Sequence, residues 1–233
     1  MDTANTNKPV LVWDLPVRLF HWMLVASFAG AWLTAESERW RDVHILLGYT
    51  AFVLIAFRIV WGFIGSRHAR FADFAAGPSR VAKYLVSLVR PAPERHIGHN
   101  PAGGWAIFAL LGLMLLTVIT GYMNYEGLGG RSLEDIHEVA ANALMFVAAV
   151  HVAGVMVSSF LHRENLIRSM ITGMKNGLAS DGISRPRRIA AAVLLVMVTG
   201  FWVLALRGDL PAIYPPEGTI QSAARTQSHS DND

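Results

Sequence analysis

Four histidines, His21, His44, His137 and His151, stand within or at the edge of apolar runs in a 233-residue chain that is 53% hydrophobic and only 16% charged. A neutral imidazole has one unprotonated ring nitrogen to offer a transition metal. Two imidazoles on opposite sides of one metal leave no coordination position for a substrate, which suits electron transfer rather than turnover of a bound molecule. His137 and His151 are fourteen residues apart. At ~100° per residue that spacing returns a helix to within about 40° of the same face, so one helix can serve two such centres.

The elements that must position these residues are membrane helices. Trp105 to Met123 holds nineteen residues without a charge, and Ile189 to Leu206 is a second uncharged run. Val17 to Thr34, Ile45 to Ile64 and Val139 to Leu161 are apolar stretches interrupted only by Arg18, His21, Arg58 and His151. Runs of this length predict five spans. The expected class is all-α, an integral membrane helical bundle with a four-helix core and a fifth transmembrane helix. The first helix reads as retained rather than cleaved, because Asp14, Arg18 and His21 enter it and no small-residue cleavage site follows Trp32.

Basic residues in short loops stay on the cytoplasmic side. Arg67, Arg70, Arg80, Lys83, Arg90 and Arg95 lie between spans two and three, and Arg163, Arg168, Lys175, Arg185, Arg187 and Arg188 between spans four and five. The opposite loops hold only Arg39, Arg41 and Arg131. The bias predicts a membrane protein with a cytoplasmic N-terminal arm (1–10) and a tail on the opposite side (208–233), partly disordered by its polar composition. Between them come the core membrane domain (11–177) and a linker with the fifth helix (178–207). Val81, Tyr84, Leu85, Leu88 and Val89 recur at helical spacing among Arg80, Lys83 and Arg90, which predicts an interfacial helix near 79–90.

Depths can then be assigned. His21 lies about fifteen residues before the outer end of span one, roughly 22 Å below the outer surface at ~1.5 Å per residue. His151 lies roughly 21 Å below His137 by the same arithmetic. His44 opens span two on the outer side, level with His137. The pairs are therefore His21 with His151 on the inner side and His44 with His137 on the outer side. Two stacked haems fit this arrangement, each a six-coordinate iron in an apolar bundle lined by residues such as Phe20, Phe52, Met145 and Phe146. Haem propionates need cations. Arg58, fourteen residues after His44, falls at the inner level with Arg18 near it, and an intramembrane Arg demands such a partner.

The chain has no cysteine. It therefore carries no covalent haem-attachment motif, iron–sulfur ligands or disulfide, and the expected cofactors are two non-covalent b-type haems. His68, His96, His99 and His229 read as solvated loop or tail residues, and His162 lies too deep below His137 to ligate. No internal repeat, nucleotide-binding glycine motif or nucleic-acid-binding feature is present. Gly112 and Gly121 give span three small faces for a neighbour in the same chain or in a second copy, so a homodimer stays open.

Several segments carry a family resemblance: Val12-Trp-Asp-Leu-Pro-Val-Arg-Leu-Phe-His21-Trp22, His44-Ile-Leu-Leu-Gly48-Tyr, Arg58-Ile-Val-Trp-Gly62-Phe and Gly98-His-Asn100-Pro-Ala-Gly-Gly104. With the His137 to His151 spacing, these resemble the bacterial cytochrome b561 and nickel–iron hydrogenase cytochrome b-subunit family, over about Leu11 to Gly177. The resemblance implies a four-helix di-haem cytochrome passing electrons between the quinone pool and a periplasmic partner, either a c-type cytochrome or a hydrogenase-like protein. It implies the same histidine pairs as the depths do. It also implies a quinone pocket near the inner haem, with Asn100 and Gly103 in the turn beside it. That turn has an equally good backbone explanation, since Asn-Pro and Gly-Gly build turns unaided. The fifth span departs from the four-helix pattern.

Two other classes remain open. As an enzyme, the chain would act alone on quinone and a small redox substrate such as superoxide, drawn to the outer haem by Arg39, Arg41 and Arg131. As a transporter, it would use the histidines as a proton or metal path, and purified protein would then lack haem absorption.

Overall fold

The computed structural model describes residues 8–90 and 93–208. The expectations for the tail beyond Gly208 and for His229 lie outside the described residues. The chain enters through a short strand, β1 (Lys8–Leu11), and turns into α1 (Leu15–Thr34). Asp14 caps α1, accepting the Val17 N–H at 2.9 Å, and Pro16 sits in the first turn, where its missing N–H costs nothing. After a 3₁₀ turn comes α2 (Arg41–Ile64), then two short helices, α3 (Phe71–Phe74) and α4 (Pro78–Ser87). The long helices α5 (Pro101–Tyr125) and α6 (Gly130–Leu161) follow, then α7 (Leu166–Thr172), strand β2 (Met174–Gly177) and α8 (Arg188–Leu206).

Four helical segments are long and apolar enough to cross a membrane: Glu38–Ile64, Pro101–Tyr125, Gly130–Leu161 and Arg188–Leu206. Five spans were expected, and α1 is the difference, because Arg18 and His21 dilute its apolar run. At ~1.5 Å per residue its length still reaches about 30 Å, the thickness of the hydrocarbon layer. It packs against α2 and α8, which makes it a member of the bundle. Its polar residues meet the protein rather than lipid. The Arg18 Nη1 group donates to the Ile171 carbonyl at 2.7 Å.

Packing runs α1 on α2, α2 on α5 and α5 on α6, while α8 lies against α1 and α2. Phe20, Leu54, Leu194 and Val198 bury one apolar cluster among α1, α2 and α8. Trp202 Nε1–H donates to Thr50 Oγ1 at 3.0 Å and fixes the level of α8. A second cluster, Ala51, Ile55, Met114 and Leu144, joins α2, α5 and α6. Much of the outer surface is apolar, including Phe146 and Phe160 of α6 and Val196 of α8, as a lipid-facing bundle requires.

The end of the bundle that holds the N-terminal strand departs from an all-helical picture. β1 and β2 form an antiparallel two-stranded ribbon, with Lys8 opposite Gly177 and Leu11 opposite Met174. Val12 and Trp13 N–H both donate to the Gly173 carbonyl, at 2.8 and 3.1 Å. The Lys175 ammonium is buried with Glu164 at 3.4 Å, and burial lowers its pKa despite that partner.

Candidate functional site

The outer histidines come together. His44, near the start of α2, and His137, two turns inside α6, place their ring centres 6.3 Å apart at 75°. Helix α6 begins at Gly130 rather than near His137, so this pair lies inside the helical layer. His44 Nδ1 is 2.9 Å from the Ala31 carbonyl and His137 Nδ1 is 2.9 Å from the Thr117 carbonyl. A carbonyl only accepts, so each Nδ1 carries the proton and each Nε2 is left as an unprotonated donor to a metal. Two imidazoles each about 2 Å from one metal have ring centres roughly 6 Å apart, so the observed separation leaves room for a single metal between His44 and His137. Gly121 makes room for this ring. A Cβ there would stand 2.9 Å from His137 Cε1, which gives Gly121 a neighbour within its own chain.

Of the inner histidines, His21 of α1 and His151 of α6 lie within electrostatic reach of each other. His21 Nδ1 is buried without a hydrogen-bond partner. Around them lies a polar cluster centred on Asp14, which is fully buried. Its Oδ1 caps α1, and its Oδ2 accepts Trp61 Nε1–H at 3.0 Å. Arg58 is 3% exposed, lies 4.9 Å over the Phe71 ring and has an unpartnered Nη1. Arg18 Nε is also buried without a partner. Both guanidiniums interact with the one Asp14 carboxylate. Two cations, Arg58 buried and Arg18 half-buried, against one buried anion leave a positive excess with free N–H groups, a setting that accepts an anionic group.

Three histidines read as solvated are not. His68 is 2% exposed, with Nδ1 3.0 Å from Asp73 Oδ2 and Nε2 2.8 Å from the Asp181 carbonyl. His96 is half-buried against Tyr84, with ring centres 5.5 Å apart. His99 lies between Trp13 and Phe74, at 4.5 and 4.6 Å between ring centres, and its Nδ1 is buried without a partner. Burial, and after it the Arg58 guanidinium, pushes the His99 pKa down to about 3, so this ring is neutral at physiological pH. These loops fold back under the bundle, and aromatic residues distant in sequence supply the cover.

At the head of α5, Asn100 Oδ1 accepts the Gly103 N–H at 2.7 Å and so caps the helix. The space beside Gly104 is taken by the Phe74 carbonyl, 2.6 Å from where a Cβ would stand. The turn therefore has a structural use in full. Among the described residues, no three His, Cys, Asp or Glu converge as a metal-ion cluster.

Comparison with known proteins decides the family, because the model for prokaryotic cytochrome b561 matches residues 12–173. The chain belongs to that family. It is a membrane b-type cytochrome of electron transfer, and the matched stretch runs from the residue before Trp13 through all four paired histidines to Gly173. This cytochrome is 26% identical over 219 residues to the probable Ni/Fe-hydrogenase B-type cytochrome subunit of Rhizobium leguminosarum bv. viciae, covering 74% of this chain and 91% of the relative. The Azotobacter vinelandii protein of the same name is 29% identical over 221 residues, covering 75% of this chain and 91% of the relative. The probable Ni/Fe-hydrogenase 1 B-type cytochrome subunit of Escherichia coli K12 is 23% identical over 214 residues, covering 71% and 90%. No solved structure matches the cytochrome significantly.

Proposed function

We propose that this cytochrome holds two b-type haems, one at each histidine pair, and conducts electrons across the bacterial inner membrane between the quinone pool and a periplasmic redox partner. The observation that carries this reading is the His44–His137 pair, 6.3 Å between ring centres with both Nδ1 atoms bound to main-chain carbonyls. Carbonyl bonds of that kind fix ring orientation and the tautomer that ligates. His44 and His137 would hold a haem through their Nε2 atoms, and that group would supply one-electron chemistry with no position left for a substrate.

His44 and His137 hold the outer haem, and His21 and His151 the inner one. Arg18 and Arg58 bind the inner haem's propionates, a role supported by the unpartnered Nε and Nη1 atoms beside a single carboxylate. Quinone binds on the inner side near Asn100 and Gly103, where α4 and the head of α5 meet. The N-terminus is cytoplasmic and the outer pair faces the periplasm. The relatives' names favour a hydrogenase over a c-type cytochrome as the periplasmic partner.

Pyridine haemochrome on the purified chain tests the scheme. Two b haems per chain are expected, with about one left in H151A and about one in H137A. Unchanged haem in both variants would sink it.

A further inference from the structure

We infer that His99 is a further cofactor-holding residue, donating a hydrogen bond from Nδ1 to a carboxylate of the inner haem beside Arg58. This rests on the inner-haem reading above and adds a residue to it. His99 is fixed from both sides, between Trp13 and Phe74. Its backbone is held by the next residue, since Asn100 caps α5 through the Gly103 N–H. It lies within electrostatic reach of Arg58 first, then of His68 and Lys175, and least of His151, which puts it on the side of the bundle that carries the inner pair.

Charge and donor accounting choose its partner. Asp14 has committed one oxygen to the Val17 N–H and the other to Trp61 Nε1–H, at 2.9 and 3.0 Å. It is the one carboxylate placed against Arg18 and Arg58. Arg18 Nε, Arg58 Nη1 and His99 Nδ1 are all buried and unpartnered, so none of them satisfies another. Buried donors of this kind need acceptors. An ionised carboxylate accepts at about four lone-pair sites and supplies the missing negative charge. A neutral quinone carbonyl would take one donor and leave the charge unanswered. The anionic edge of the inner haem is therefore the group that His99 meets.

The test compares wild type with H99F, which keeps an aromatic ring between Trp13 and Phe74 but has no N–H, and with H99N, which keeps an N–H near the place of Nδ1. Each is titrated potentiometrically by its haem absorption, and haem content and the low-spin bis-imidazole spectrum are recorded alongside. In H99F one of the two haems should shift to a lower midpoint potential, because an unpaired carboxylate favours the oxidised iron. The other haem should stay put, and H99N should recover most of the shift. Both potentials unchanged in H99F, with two haems retained, would overturn the role of His99 while leaving the paired-histidine scheme standing. Loss of the low-spin spectrum in H99F would make His99 an axial ligand and overturn it as well. Altered quinone affinity with unchanged potentials would assign His99 to quinone instead. If H151A retains both haems, the inner-haem reading fails and takes this inference with it.

Discussion

A histidine ligand is set up by the group on its other nitrogen, and at the outer pair those groups are carbonyls of helix residues, Ala31 and Thr117. No side-chain substitution can remove them directly. Gly121 is the accessible lever, because a Cβ there would stand 2.9 Å from His137 Cε1 and 3.1 Å from Nδ1. G121V should drop haem content from two towards one per chain and spare the inner haem, as read by pyridine haemochrome. Full retention of both would show that the ring does not depend on this space. The approach of His44 to His137 was legible in the sequence, because apolar runs and helical spacing fix depth and face. His68 and His99 were not. Their cover comes from Asp73, Asp181, Trp13 and Phe74, and only the path of the loops brings these together. The Asp14 cluster was half legible. Arg18 and Arg58 stood out as intramembrane cations, whereas the saturation of Asp14 by a helix cap and an indole required coordinates.

Among the elements, the long helices announced themselves through uncharged runs, and α8 begins one residue before the expected Ile189. Of the shorter pieces, α4 follows the helical spacing expected near 79–90, whereas α7 and the two strands gave no such signal. Helix α7 is seven residues and each strand four, too brief for a periodic signal to rise above composition. Yet these pieces enclose a buried ion pair, Lys175 with Glu164. Removing one partner of such a pair leaves a charge without compensation, whereas replacing both costs much less. E164A should destabilise the cytoplasmic end by about 3 kcal/mol, and the double variant E164Q/K175M by clearly less. Thermal unfolding in detergent reads the difference, and equal losses in the two variants would show that the pair is not effectively buried.

At the scale of the whole molecule, the distribution of Arg and Lys predicts which end faces which compartment. Alkaline phosphatase fused after Gly208 should be active, and the same reporter fused after Gly177 inactive. The reverse pattern would invert the bundle and place the quinone end outside. The order of packing, with α8 against α1 and α2 and with α6 reached through α5, leaves α1 and α6 as the outlying members, although His21 and His151 lie within electrostatic reach of each other. The ribbon of β1 with β2 ties the chain before α1 to the chain after α6 and α7 at one end of the bundle. That has a consequence for biogenesis. Leu11 pairs with Met174, so the first strand emerges from the ribosome long before its mate. At about 5–20 residues per second the wait is on the order of ten to thirty seconds. Most of that wait is spent making the helices between, because only thirteen residues separate Leu161, the last of α6, from Met174. At the same rate the ribbon can close within about three seconds of α6 being finished, so the front of the chain stays untied until α6 is made and is fastened almost at once afterwards.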